Sequence, residues 1–164
     1  MKKASILFLQ GVILLIVIVA IVILIRFPST EGRAKNLDTF SIYTDPFILY
    51  GYTISIPFFV ALYNTLKLLR LISQNNAFSR NAVITLRKIK YCLIILSSLI
   101  LFAGLYIRLF HHKNDDPAGF LALCILTTFI TLIVFTAVSV FEKIVENGVD
   151  IKSENEQLHL KLKK

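Results

Sequence analysis

Residues 4–25 read ASILFLQGVILLIVIVAIVILI, a run without a single charge, preceded by Lys2 and Lys3 and closed by Arg26. A helix rises about 1.5 Å per residue and the hydrocarbon core of a bilayer is about 30 Å thick, so about 20 apolar residues cross it. A soluble domain made from 164 residues could not bury such a run. The basic start resembles a secretory signal, but the apolar stretch is too long for one. It runs on into Ile25-Arg26-Phe27-Pro28 with no small-x-small cleavage site, so a signal anchor is expected.

Working outward, three more segments meet the same length test. With the first span at 5–25, they lie at 47–69, 91–109 and 120–141, and the only charges within them are Lys67, near the end of the second, and Arg108, at the outer end of the third. The chain is 56% apolar with a mean hydropathy of +0.74, and 17% of its residues are charged, against about a quarter in soluble domains. The expected fold is therefore all-α: one integral membrane domain over residues 1–164, built as a four-helix bundle.

Lys and Arg in short loops set membrane orientation. The N-terminus, the connection around 70–90 and the tail 142–164 carry thirteen of these residues, Lys67 included, and the other side carries five. This bias predicts that both termini and the 70–90 loop face the cytoplasm. The net charge of +8 could also suggest nucleic acid. Here the cations flank apolar spans and no basic stripe interleaves with stacking aromatics, so no direct nucleic-acid contact is expected and the lipid bilayer is the first partner.

Local signals place the helix starts. Asp45-Pro46 and Asp116-Pro117 precede the second and fourth spans; Asp caps free amides, and Pro fits a first turn where its missing N–H is not needed. Ser79 can cap a helix running from Arg80 to about Leu109, roughly 45 Å long, whose first turns would project beyond the membrane. Ala82, Val83, Leu86 and Ile89 give that projection an apolar face, and Arg80, Arg87, Lys88 and Lys90 a basic one. An interfacial anchor at an acidic lipid surface is the favoured expectation for it, with a docking site for an acidic partner as the alternative. The tail is expected to extend the fourth span as a short amphipathic helix with a weak point at Gly148.

The spans hold little chemistry. No Asp, Glu, His, Lys or Arg lies mid-span and no acid lies between Asp45 and Asp115, which argues against a proton-coupled pump or antiporter. Tyr50, Thr53, Pro57, Ala61 and Asn64 share one face of the second span, Ser97 and Gly104 one side of the third, and Cys124, Thr128 and Thr131 one face of the fourth. Small and polar stripes are how membrane helices pack, so these residues read as bundle seams. Cys92 and Cys124 fit no zinc or redox spacing and read as packing residues. His111, His112, Asn114, Asp115 and Asp116 cluster on one short loop. Adjacent ligands rarely close a tetrahedral site, and Asp116 is already explained as a cap, so no metal or cofactor is assigned. No nucleophile has a base nearby and no hydrolase, phosphate-loop or dinucleotide motif appears; no enzyme activity is expected.

Two stretches carry a resemblance: 62–90, LYNTLKLLRLISQNNAFSRNAVITLRKIK, and 141–156, FEKIVENGVDIKSENE. Together they resemble the bacterial four-helix membrane family called domain of unknown function 2975. The shared features are a Phe-Ser start followed by Leu-Arg-x-Ile, here Phe78, Ser79, Leu86, Arg87 and Ile89, and a tail Gly with a Glu-Asn run, here Gly148, Glu154, Asn155 and Glu156. Asn76-Ala77 and Lys90 stand where the family often has Gly. The resemblance implies a multi-pass protein of the bacterial cytoplasmic membrane. Because such members often sit beside a helix-turn-helix regulator, it also implies a regulatory protein that captures this regulator with Phe78, Ser79, Arg80, Leu86, Arg87, Gly148, Glu154, Asn155 and Glu156. The competing expectations are a small transporter, channel or export accessory working as a monomer or homo-oligomer, and an immunity protein against a membrane-active peptide.

Overall fold

A computed structural model of the protein describes residues 3–30, 43–110 and 118–163. These residues form four long helices: α1 (Lys3–Thr30), α2 (Pro46–Ser73), α3 (Arg80–Phe110) and α4 (Ala118–Leu162). Each is long and apolar enough to cross a membrane. The chain is an all-helical, multi-pass membrane protein whose main contacts join helices consecutive in sequence, α1 to α2, α2 to α3 and α3 to α4.

The helix starts follow from their caps. Asp45 Oδ1 accepts from Phe47 N at 2.7 Å, with Pro46 in the first turn, so one free amide is satisfied and another is absent. Ser79 Oγ accepts from Ala82 N at 3.3 Å and starts α3. Asp116, Pro117 and the histidine cluster lie outside the described residues.

α2 ends on Asn75, whose φ of 58° is left-handed. Asn76 N returns to Leu71 O at 2.9 Å, the six-to-one bond of a Schellman-type cap, a position Asn tolerates better than most residues. The chain thereby reverses within a few residues and delivers Phe78 and Ser79 to the start of α3.

At the opposite end, α1 continues through Pro28. Proline removes the amide that would bond the carbonyl four residues back, and that carbonyl belongs to Leu24. Tyr52 Oη on α2 donates to Leu24 O at 3.2 Å, and Tyr43 Oη to Ile25 O at 3.2 Å. Side chains from the next element thus supply a donor that proline withholds, which ties the end of α1 to α2.

Two clusters of buried apolar residues lie at the end bearing the N-terminus, the α2–α3 connection and the tail. Ile6 and Ile13 of α1 pack on Leu69 of α2. Ala82, Val83 and Leu86 of α3 pack on Val145 of α4, with Leu68, Leu71, Val138 and Val149 around them. Ile89 is buried as well. The apolar face of the α3 projection is therefore not an interfacial anchor lying on lipid. It is a helix–helix core, because burial against α4 removes the same apolar area from water. Gly148 is likewise no break: α4 runs through it for 45 residues.

Candidate interaction site at the loop–tail junction

The two stretches with family character meet where α3 begins and α4 leaves the membrane region. Gly148 stands against the ring of Phe78: a Cβ built there would lie 2.8 Å from Phe78 Cε1 and 3.3 Å from Cγ. Only a residue without a side chain accepts this approach. The phenyl ring lies across the tail helix with its outer face exposed.

Nearly two turns further toward the membrane, Glu142 is buried, with 7% of its side chain exposed. Its carboxylate accepts from Arg87 Nε at 3.0 Å and from Lys90 Nζ, while Arg87 Nη2 reaches Glu146 Oε1 at 3.4 Å. A buried carboxylate persists only when paired and hydrogen-bonded. Burial pushes the Glu142 carboxyl up, but the hydrogen bonds and charges of Lys90 and Arg87 outweigh it and hold it below the ordinary carboxylate value. Arg87 and Lys90 lie three apart on α3, and Glu142 and Glu146 four apart on α4, so each pair shares a helix face.

The expected interaction residues divide into two groups. Phe78, Leu86, Arg87 and Gly148 come together at this junction, but Leu86 is 3% exposed and belongs to the core. Arg87 is engaged by the tail. Phe78, Arg80, Glu154, Asn155 and Glu156 are exposed, the last three on the free part of α4, and Ser79 is half-buried as the α3 cap. Reading the residues singly missed Lys90, Glu142 and Glu146 as one ionic cluster. The spacing of basic residues at 87 and 90 and acids at 142 and 146 was the available signal.

The polar residues within the spans are seams in part. Tyr50 Oη donates to Leu99 O at 2.8 Å and links α2 to α3. Asn64, Ser97, Thr128 and Thr131 are buried, with Asn64 Nδ2 bonded to Val60 O and Thr131 Oγ1 to Thr127 O. Thr53 is exposed and bonds its own helix at Leu49 O, and Pro57 is half-buried inside α2. Gly104 faces Cys124, whose Cβ would lie 3.4 Å from an added Cβ. Both cysteines are free thiols. Among the described residues no group of His, Cys, Asp or Glu is arranged to hold a metal.

Residues 29–157 match the family described as Protein of unknown function (DUF2975). The uncharacterized membrane protein YoaS of Bacillus subtilis (strain 168) is 34% identical over 108 residues, 66% of this chain and 67% of that protein. No solved structure matches. The family match takes in α2, α3, Phe78, the Glu142 cluster and Gly148, and the chain belongs to the DUF2975 family of membrane proteins.

Proposed function

We propose that this protein is a docking protein of the bacterial plasma membrane that holds a cytoplasmic partner, such as a helix-turn-helix transcription regulator, on its loop–tail end. The observation that carries this reading is the Phe78–Gly148 contact. It joins the two stretches with the most family character into one surface and leaves Phe78, Arg80, Glu154, Asn155 and Glu156 exposed around it. The Lys and Arg bias of the loops supports a cytoplasmic position for this end. Leu86 acts beneath the surface by packing, and Arg87, itself exposed, acts by clamping the tail.

The test is crosslinked capture in membranes with tagged full-length protein, a chain truncated after Gly148, and an Arg80→Glu variant. Arg80 is exposed, so its reversal leaves the Glu142 cluster intact. A soluble regulator captured by the full chain and lost from both variants supports the reading. Capture unchanged in both removes it.

A transporter or export-accessory role has one observation in its favour. An apolar cavity of about 200 Å³ lies near the opposite end, lined among others by Leu24, Phe47, Tyr50, Ala103 and Phe120. Flux of a neutral solute in vesicles, sensitive to Ala103→Phe, would favour that role.

A further inference from the structure

A second concavity lies at the membrane boundary nearest the N-terminus, between α1 and the last turns of α2. It measures about 420 Å³ and is lined by Gln10 of α1 and by Tyr63, Leu66, Lys67, Arg70, Leu71 and Gln74 of α2. Tyr63, Lys67, Arg70 and Gln74 are spaced by four, three and four residues, so they form one stripe along α2. Gln10 is placed opposite by its neighbours: Ile6 and Ile13, one turn to either side on the same face, pack on Leu69.

Three features mark this cleft as a site for an anion. Gln10 is the lone amide in the apolar run 4–25, and it is half-buried at the wall of this cleft. None of the five polar side chains is hydrogen-bonded or ion-paired within the described residues. No acid occurs in 3–30 or 46–74, so nothing on either helix neutralises Lys67 and Arg70. The cleft therefore presents two cations, two amides and a phenol, with Leu66 and Leu71 as apolar wall. A group with several acceptor oxygens and a negative charge complements that set, and Arg with Lys is the usual pairing for phosphate.

We propose that this cleft binds a phosphate group, supplied by the headgroup of an anionic phospholipid. Arg70 and Lys67 hold the phosphate oxygens, and Gln10, Tyr63 and Gln74 bond the remaining acceptors. The acyl chains follow the exposed apolar flanks of α1 and α2, where Leu7, Leu14 and Val60 face outward. Native mass spectrometry of the full chain in detergent tests this, with phosphatidylglycerol and phosphatidylcholine of identical chains, and with inorganic phosphate alone. Phosphatidylglycerol is expected to bind about thirtyfold tighter than phosphatidylcholine, as two surface cations imply. That preference should disappear in Lys67→Gln/Arg70→Gln and persist in Lys88→Gln/Lys152→Gln, which removes two exposed cations elsewhere. Gln10→Leu, which keeps both cations, should narrow the preference even if the double variant fails to insert. Inorganic phosphate that binds at millimolar concentration and displaces the lipid would support the same phosphate site with a soluble source. Equal binding of the two lipids, or equal losses in the two double variants, would overturn the proposal.

Discussion

The ring of Phe78 fills the space that a side chain at residue 148 would need, its Cε1 lying 2.8 Å from where that Cβ would stand. Replacing Gly148 with Leu forces either the ring or the tail helix aside. Overpacking of this kind costs about 1–3 kcal/mol. Phe78→Ala removes the clash, so the double variant should recover most of the loss in a mutant cycle. The checks are unfolding temperature in detergent and protease cleavage near residue 148, which should be faster in Gly148→Leu alone.

Glu142 makes the stability of this end depend on pH. Its folded pKa lies below the ordinary carboxylate value, whereas in the unfolded chain it titrates at that ordinary value. Its contribution is therefore complete above the ordinary carboxylate range and is lost as pH falls through the lowered folded value. Unfolding temperature measured from pH 7 down to pH 3 should fall more steeply in the native sequence than in Glu142→Gln. At pH 7 the substitution should cost about 1.5–3 kcal/mol, the usual range for a bond to a charged group.

The bond from Tyr52 to the Leu24 carbonyl predicts a dependence between two distant positions. Tyr52→Phe leaves that carbonyl without a donor and should destabilise by about 1 kcal/mol. Pro28→Ala restores a backbone amide four residues on, so Tyr52→Phe should cost less in that background. Thermal unfolding of the four proteins of the cycle in one detergent measures the difference.

Close approach of α3 and α4 depends on Gly104. An added Cβ would meet Cys124 Cβ at 3.4 Å and Leu121 Cδ2 at 3.8 Å, which is near ordinary contact. Gly104→Ala should change stability little, while Gly104→Leu should cost about 1–3 kcal/mol. The same unfolding assay separates them.

The spans were legible in the sequence because a bilayer imposes one length on any helix that crosses it, and no charge interrupts 5–25, 91–107 or 120–141. The caps at Asp45 and Ser79 were legible because capping is local. What lay hidden was non-local. Arg87 belongs to the basic face of α3 when read alone; its partner Glu142 lies 55 positions away, and only the antiparallel pairing of α3 with α4 brings them together. The apolar row Ala82, Val83, Leu86 fits a lipid surface and a protein core equally well in periodicity, and Val145 decides between them. Gly148 reads as a weakness in a helix until a ring from another element is found resting on it. The cleft beside Gln10 was hidden for the same reason, since its stripe on α2 carries meaning only when α1 is laid across it.

The uninterrupted length of α4 has a mechanical consequence. Its 45 residues measure about 67 Å, more than twice the hydrocarbon thickness, so the stretch past Glu142 is a stiff lever about 30 Å long. Its fulcrum is the contact with Phe78 and the Arg87–Glu142 pair. No break in the helix separates Leu158 or Leu162 from that fulcrum, so a displacement of the far end acts on it. The displacement is felt there as torque, and is passed from there to the α3–α4 seam inside the membrane.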